Sequence, residues 1–545
     1  TQRPCAVWTL LGLIVPLFSL LTRAISGLLR ALIGEEGLAA AGREIIRPIR
    51  DSGVRWLLFL AFLPYEALLN LDAITTTLAR VWVTRRQMLQ WTTAERTVRL
   101  FGDEVTATTT LVKMLPSILL TVGLALLVII LEPTALFVAA PFFIAWLFAW
   151  QITYWISRPT TPKAVELSAE RQQMLRILAR RTWLFYELFV GPDDNWLPPD
   201  HFQESPRGVV AHRTSPTNVG MYLLSLLAAH DFGFITTTNV SLRIQFAFAS
   251  LNRQERYRGH FLNWIDTRTL DALPPRYVST VDSGNLAACL IALRQGLLTL
   301  PQQTVWRWEQ WQGLLDMFAL LTEAIADTDE GSDPTANNLC DYLAEMRRQV
   351  LAVRKQPEAW YAALLAITEV GRQELDRHLV DYIEANVAHL NAERLRDARI
   401  YVERIHYRMD NMRREAETLL PSLPLYKTTP ALFDSPAIAE PLREAWRALY
   451  AVFPVAPSFE QLAGIYTDTE QKLNQIQALM AELPPSETLQ AAHQWCATFA
   501  DALSAAPNAA TTLLSDLAAA ADQADAYVNE MEFNFLFDAH RQVFH

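Results

Sequence analysis

The feature that most constrains the fold is a 44-residue stretch, residues 114–157, in which Glu132 is the only charged residue. A membrane-spanning helix needs about 20 predominantly apolar residues. The stretch therefore predicts two transmembrane helices, at about 114–131 and 134–156, joined by a tight turn at Glu132. The alternative is a buried hairpin of a soluble protein, and the length and low charge of the stretch both count against it. Interfacial aromatic residues cluster at its end: Trp146, Trp150, Tyr154 and Trp155.

Two further apolar segments lie within residues 1–160, which we assign as the membrane region. Residues 4–22 carry no charge over 19 positions, which predicts a span at about 4–24. Residues 55–72 are interrupted by Pro64 and Glu66, so this segment is either an interfacial helix or an imperfect span. The chain begins with threonine and not methionine, and we expect it to be a fragment of a longer protein.

Basic residues flank the 114–157 hairpin on both sides. Cytoplasmic flanks of transmembrane helices are enriched in Lys and Arg, so both flanks, and the soluble part that follows, are expected to face the cytoplasm. The basic residues before the hairpin are Arg80, Arg85, Arg86, Arg96 and Arg99, and those after it are Arg158, Lys163, Arg171, Arg176, Arg180 and Arg181.

The charge and cysteine content argue against several classes of protein. The chain has 47 Lys and Arg against 58 Asp and Glu, a formal net charge of −11. Nucleic-acid binding needs clustered basic residues, so no nucleic-acid partner is expected. The sequence also lacks a phosphate-binding glycine loop and metal-spaced His or Cys motifs, so we expect no metal and no cofactor here. The cysteines are far apart, which argues against a disulfide framework: Cys5, Cys289, Cys340 and Cys496.

Residues 161–300 carry compact polar clusters with interleaved aromatic residues, in loops that lead into apolar helices. Ser215 is a predicted helix N-cap, and Asp282 or Ser283 is predicted to cap the helix around 286–298. Aromatic rings pack on the C–H faces of a pyranose, while Asn, Asp, Arg and His match its hydroxyl groups. The clusters therefore predict a sugar-binding cleft lined by Arg213, Thr214, Asn218, His260, Asn263, Trp264, Asp266, Asp282, Ser283 and Asn285.

Each of these residues also has a purely structural interpretation. Asp282 can serve as a helix cap and nothing more. His260 and Asn263 can satisfy buried loop backbone, and Trp264 can belong to the core. The clustering carries more information than any single residue.

Four segments in this region resemble the cyclic β-1,2-glucan synthases, which are very large membrane proteins. They are residues 197–204 (LPPDHFQE), 212–218 (HRTSPTN), 258–269 (RGHFLNWIDTRT) and 277–286 (YVSTVDSGNL), and residues 91–95 (WTTAE) are also similar. The resemblance implies a membrane-bound transferase that uses UDP-glucose, a central transglycosylase that cyclises the glucan, and a phosphorylase-like module. It further implies the bacterial inner membrane as the location, a β-1,2-glucan chain as the substrate, and the other modules of the polypeptide as partners.

The same resemblance implies that residues 161–335 are the first part of a glucoamylase-like (α/α)6 toroid, which resumes at 531–545. Glycoside chemistry usually needs two carboxyl groups flanking the scissile bond. We expect the main catalytic carboxylates beyond residue 545, so the catalytic residues stay unknown. Asp266 and Asp282 are the best visible acids, and for both we expect a role in substrate binding.

Residues 336–530 read as a helical insert, an antiparallel bundle or coiled coil. Apolar residues recur there at alternating spacings of three and four, a heptad pattern. The simplest interpretation is scaffolding; a second one is that the insert holds the glucan or other modules at a distance. The three seams are Leu395, Ala398, Val402, Ile405, Met409, Met412, Ala416 and Leu419; then Leu462, Tyr466, Thr469, Leu473, Ile476, Met480 and Leu483; then Leu489, Ala492, Cys496, Phe499 and Leu503.

The favoured hypothesis is a mainly α fragment of a membrane-bound glucan synthase whose central module binds β-1,2-glucan and cyclises it by transglycosylation. A second enzymatic hypothesis keeps the toroid but makes it a glucan hydrolase or phosphorylase. A third is a non-enzymatic membrane scaffold with a coiled-coil arm that recruits partners.

Overall fold

The computed structural model describes residues 18, 22, 25–26, 38–85, 106–158, 166–326, 333–387, 392–425, 429–435, 438–452, 456–538 and 543–544. The chain forms two compact units. The first comprises Thr1–Val165 and Phe537–Phe544, and the second comprises Glu166–Leu536.

The first unit consists of long apolar helices and one short hairpin. Helix α1 (Leu38–Leu78) continues into a π-helical turn, and a capping box between Thr106 and Thr109 starts the next helix. The elements that follow are α2 (Ala107–Leu131), a 3-10 turn (Pro133–Ala135), α3 (Leu136–Leu147) and α4 (Ala149–Ile156), with an antiparallel hairpin of β8 (Phe537–Asp538) and β9 (Val543–Phe544).

Three helices of this unit are long and apolar enough to cross a membrane: Arg50–Thr84, Ala107–Leu131 and Pro133–Ile156. At most 17% of the apolar window of each helix is buried, so these faces need lipid or further protein to cover them. The two predicted spans of the hairpin are helical, and the chain turns between them at Glu132 as expected. Residues 55–72 lie within the first of the three helices, which favours a span there. The span expected at 4–24 falls outside the described residues except for isolated positions.

The second unit is built from helices that return on one another through short loops. They are α5 (Ala169–Phe189), α6 (Pro216–Asp231), α7 (Thr237–Leu251), α8 (Thr280–Thr299), α9 (Trp308–Ala326), α10 (Pro334–Ala352), α11 (Trp360–Asn386), α12 (Ala392–Leu419), α13 (Ser422–Leu425), α14 (Ala431–Asp434), α15 (Glu440–Val452), α16 (Leu462–Ala481) and α17 (Glu487–Glu530). The mainly α fold predicted from the sequence is confirmed.

Short strands lie in the two segments that precede α6 and α8. The strands are β1 (Phe202–Gln203), β2 (Val209–Val210), β3 (Arg213–Thr214), β4 (Arg256–Tyr257), β5 (His260–Phe261), β6 (Asn263–Asp266) and β7 (Ala272–Tyr277). In one sheet β6 lies between β3 and β7, with Arg213 opposite Asp266 and Thr214 opposite Ile265. This sheet holds two of the predicted polar loops side by side.

One hydrophobic core runs through the second unit, from Trp183 to Met531. It includes the whole predicted seam of α12, from Leu395 to Leu419, every member of which is buried. A separate core joins α14, α15, α16 and the first part of α17 around Trp446 and Trp495. The heptad spacing thus identified the buried faces correctly, because residues three and four apart lie on one side of a helix.

Candidate functional site

Seven polar or aromatic side chains lie near the starts of α6 and α8 in two hydrogen-bonded groups, which together we call the polar patch; one of them, Asn263, is buried. Six of them were predicted from the sequence, and Asp200 is the addition. The patch consists of Asp200, Arg213, Asn218, Asn263, Trp264, Asp282 and Asn285.

One half of the patch is organised around the carboxylate of Asp200. Arg213 Nη2 donates to Asp200 Oδ2 at 3.1 Å, and Asn218 Nδ2 donates to Oδ1 at 3.2 Å. The guanidinium carbon of Arg213 lies 5.1 Å from the centroid of the Trp264 ring, within the range of a cation–π contact. Arg213 is exposed and Trp264 half-buried, so this half presents an aromatic ring beside charged and amide groups.

The other half is organised around Asp282. Asn263 Nδ2 donates to Asp282 Oδ2 at 3.1 Å, and Asn285 Nδ2 donates to Thr217 Oγ1 at 3.1 Å. Thr217 also lies beside Asp282 and helps to lower the pKa of that carboxyl. Asn263 and Trp264 are consecutive residues of β6, so this strand contributes one side chain to each half, a buried one and a half-buried one.

Both carboxyl groups of the patch are held in the ionised form. Partial burial alone would raise the pKa of Asp200, but hydrogen bonds from Arg213, His201 and Asn218 outweigh it and lower that pKa. Burial alone would also raise the pKa of Asp282. Hydrogen bonds from Ser279, Thr217, Ser215 and Asn263 outweigh this effect, so the pKa of Asp282 is lowered. Two carboxylates with lowered pKa values are good hydrogen-bond acceptors for hydroxyl groups and poor proton donors near neutral pH.

Helix caps position both halves. Ser215 is the N-cap of α6, as predicted, with its hydroxyl accepting from Asn218 N and Pro216 following in the first turn. The predicted cap of α8 was wrong. Ser279 caps that helix by accepting from Asp282 N at 3.2 Å. Asp282 therefore sits in the first turn, where its charge is favourable at the positive end of the helix dipole.

A buried hydrogen-bond cluster stabilises the loops that carry the polar patch. Asp194 Oδ1 lies 2.8 Å from His212 Nδ1 and also accepts from the hydroxyl of Thr267. Asn195 Nδ2 donates to the carbonyl oxygens of Thr267 and Arg268, both at 2.9 Å. Asp194 and Thr267 are buried. These bonds tie the 192–196 loop to the turn after β6, the strand that carries Trp264.

Four predicted site residues lie elsewhere or point inward. Asp266 Oδ1 accepts from the backbone N–H groups of Arg268 and Thr269, so that oxygen caps a turn. His260 is fully buried, with Nε2 3.0 Å from the Glu532 carbonyl oxygen and its ring against Phe533 and Phe535. The hydroxyl groups of Thr214 and Ser283 are buried and have no partner among the described residues. A direct contact of these four with a ligand stays a prediction.

Sequence reasoning missed one member of the patch, Asp200, and also Thr217, which accepts the hydrogen bond from Asn285. Both stand inside polar segments that were singled out, 197–204 and 212–218. Asp200 directly follows Pro198 and Pro199, whose restricted backbone holds the next residue in place. This dipeptide is the sequence signal that could have identified Asp200. Among the described residues no group of three or more His, Cys, Asp or Glu could hold a metal ion.

Comparison with known proteins identifies one relative. The cyclic β-(1,2)-glucan synthase NdvB of Rhizobium meliloti is 33% identical over 370 residues, which is 65% of this chain and 13% of the relative. The chain therefore spans only a small part of the length of the relative it matches. No protein-family model matches the chain.

Proposed function

We propose, from the relationship of this chain to the cyclic β-(1,2)-glucan synthase family, that it is a segment of a membrane-bound synthase whose second unit binds β-1,2-glucan and supports its cyclisation. The observation that carries the proposal is the polar patch, in which the Arg213 guanidinium lies over the Trp264 ring and two ionised carboxylates accept hydrogen bonds. This combination of groups suits a neutral chain with many hydroxyl groups.

The patch offers complementary contacts to a glucose unit. The carboxylates of Asp200 and Asp282 accept from sugar hydroxyl groups, and the amides of Asn218 and Asn285 donate to sugar oxygens. The free part of the Trp264 ring packs on the C–H face of a pyranose. Several such contacts along one surface would hold a glucan chain in a defined register.

Cyclisation exchanges one glycosidic bond for another. The bond from an anomeric carbon to its leaving O2 breaks, the O2 hydroxyl at the other end of the same chain forms the new bond, and its proton passes to the leaving oxygen. Two carboxyl groups normally manage these proton transfers. Asp200 and Asp282 are held ionised, so neither suits the general acid, and we assign both to holding the chain. We assign the proton-transferring carboxyl groups to other parts of the longer protein.

The remaining expectations belong to the same proposal. The first unit anchors the segment in the bacterial inner membrane, with the second unit in the cytoplasm, and residues 161–335 contribute to an (α/α)6 toroid. The UDP-glucose-dependent transferase activity belongs to another part of the parent protein. The apolar helices of the first unit and the basic residues around them support this placement.

A binding titration tests the proposal. The 545-residue chain in detergent micelles is titrated with linear β-1,2-glucan by isothermal calorimetry, and a β-1,3-glucan of equal length serves as the control ligand. We expect saturable binding of the β-1,2-glucan that Trp264→Ala weakens by about fivefold or more, since one aromatic contact contributes on the order of 1 kcal/mol or more. No heat with either glucan would favour the scaffold hypothesis. In the full-length synthase, linear products that require phosphate or water would favour a phosphorylase or hydrolase.

A further inference from the structure

A separate groove lies in the second unit, away from the polar patch. It opens between the start of α7, the C-terminal half of α12 and the middle of α17, and has a volume of about 540 Å³. Ligand sites in proteins commonly measure about 300–1,000 Å³. The patch lies where α6 begins and the groove lies where α7 begins, after α6 has ended. The 16 residues of α6 separate these two ends by about 24 Å at 1.5 Å per residue.

The groove is lined mainly by neutral hydrogen-bonding side chains. Along α17, Asn508, Thr512 and Asp516 follow one another at intervals of four and therefore share one helix face. Along α12, Asn411 and Thr418 face the same space. Asn508, Thr512 and Thr418 are exposed, so their amide and hydroxyl groups are available to a ligand.

An aromatic ring stands in a fixed orientation on one wall. Tyr407 is exposed, and its hydroxyl donates to Asn239 Oδ1 at 2.9 Å. Asn239 in turn donates through Nδ2 to Thr236 Oγ1 at 3.0 Å. These two bonds tie the ring to the start of α7. A tethered ring loses little conformational entropy when a ligand packs on it.

The positive and negative charges of the residues that line the groove nearly cancel. The carboxylate of Glu415 is buried and already engaged, since Oε2 accepts from Thr238 N at 2.7 Å and Oε1 from Gln310 Nε2 at 3.4 Å. Of the other two charged residues, Arg414 is basic and Asp516 acidic. A ligand with a large net charge would find no excess of opposite charge here, whereas an uncharged polyhydroxylated ligand fits the lining.

We propose that this groove is a second saccharide-binding site, which holds a stretch of uncharged oligosaccharide apart from the polar patch. Resting on the proposed function, we identify the ligand as β-1,2-glucan. The C–H face of one sugar packs on the ring of Tyr407. Asn411, Asn508 and Thr512 bond the hydroxyl groups of neighbouring units. Such a site lets the helical insert retain the glucan chain. A glucan bound in the groove raises the effective concentration of its unbound part at the polar patch.

The test uses linear β-1,2-glucan of defined length and the complete 545-residue chain, with the affinity of the patch lowered by Trp264→Ala. In that background most of the remaining binding is expected at the groove. Tyr407→Ala is expected to weaken this binding about tenfold. The double variant Asn508→Ala/Thr512→Ala, which changes only exposed side chains of α17, is expected to weaken it similarly. Thr511→Ala is the matched control, because Thr511 is exposed on the same helix but does not line this groove.

The outcomes separate this proposal from the proposed function. If the Trp264→Ala chain binds no glucan while the unaltered chain does, the groove proposal is overturned and the patch survives. If the groove variants remove all binding and Trp264→Ala removes none, the groove is supported and the patch assignment fails. If the unaltered chain binds no β-1,2-glucan, both are overturned.

Discussion

Arg213 makes two contacts at once: its guanidinium group covers the Trp264 ring, with 5.1 Å from the guanidinium carbon to the ring centroid, and its Nη2 donates to Asp200 at 3.1 Å. The positions of the Trp264 ring, the Arg213 guanidinium and the Asp200 carboxylate therefore depend on one another. A change at any one of them alters the other two, so their effects on binding should be non-additive.

The first prediction concerns Trp264 in the complete synthase. Trp264→Ala is expected to abolish cyclic glucan while consumption of UDP-glucose continues, because the aromatic surface for the chain is lost but the transferase reaction takes place elsewhere. Chromatography of products and release of UDP measure the two activities separately. Trp264→Phe keeps an aromatic ring and is expected to retain part of the cyclic product. Undiminished cyclic glucan from Trp264→Ala would count against the site.

The second prediction concerns the pH dependence of glucan binding through Asp200. The folded-state pKa of this carboxyl is lowered, so its hydrogen-bonded, ionised form is present above the ordinary value of about 3.9 and is lost as the pH falls through the lowered pKa. Glucan affinity should be constant between about pH 5 and 8 and fall below about pH 4. In Asp200→Asn the affinity should be lower throughout, and the acidic fall attributable to Asp200 should disappear. Identical pH profiles for the two proteins would remove Asp200 from the site.

The third prediction concerns the buried cluster behind the patch. Thr267→Val keeps the shape of the side chain but leaves Asp194 without one of its donors. Loss of a hydrogen bond to a buried charged group costs about 1.5–3 kcal/mol, so the free energy of unfolding should fall by about that amount. Denaturant unfolding followed by tryptophan fluorescence measures it. Thr511→Val, at an exposed position, should change stability by less than about 0.5 kcal/mol.

The features that the sequence predicted correctly are those set by local pattern. The apolar runs of the 114–157 hairpin and the seam of α12 depend only on spacing along one helix, and both are found where expected. The Ser215 cap is equally local, since its hydroxyl bonds a residue three positions ahead. Local rules failed at α8 because the segment 279–283 offers two serines and an aspartate as caps. In the structure, Ser279 is the N-cap of α8.

The features that the sequence did not predict depend on contacts between distant residues. Asp200 joins the patch only because Arg213 reaches it from β3 and Asn218 from the first turn of α6. His260 and Glu532 are 272 positions apart, and their contact decides that the histidine is buried. The residue types suggested sugar binding. The β3–β6–β7 sheet and the segment after α17 decide which of these residues are exposed.

The last prediction tests whether the α12 seam stabilises the second unit. Met409 is fully buried in the seam, and truncation of a buried methionine to alanine costs about 2–5 kcal/mol through lost burial and the cavity left behind. Met221 on α6 is 52% exposed, so Met221→Ala is the matched control and should cost less than about 1 kcal/mol. Thermal and denaturant unfolding of the two variants measure the difference. If Met409→Ala proves no more damaging than Met221→Ala, the seam is not part of the cooperative core, and the groove on its solvent side would lose its rigid wall.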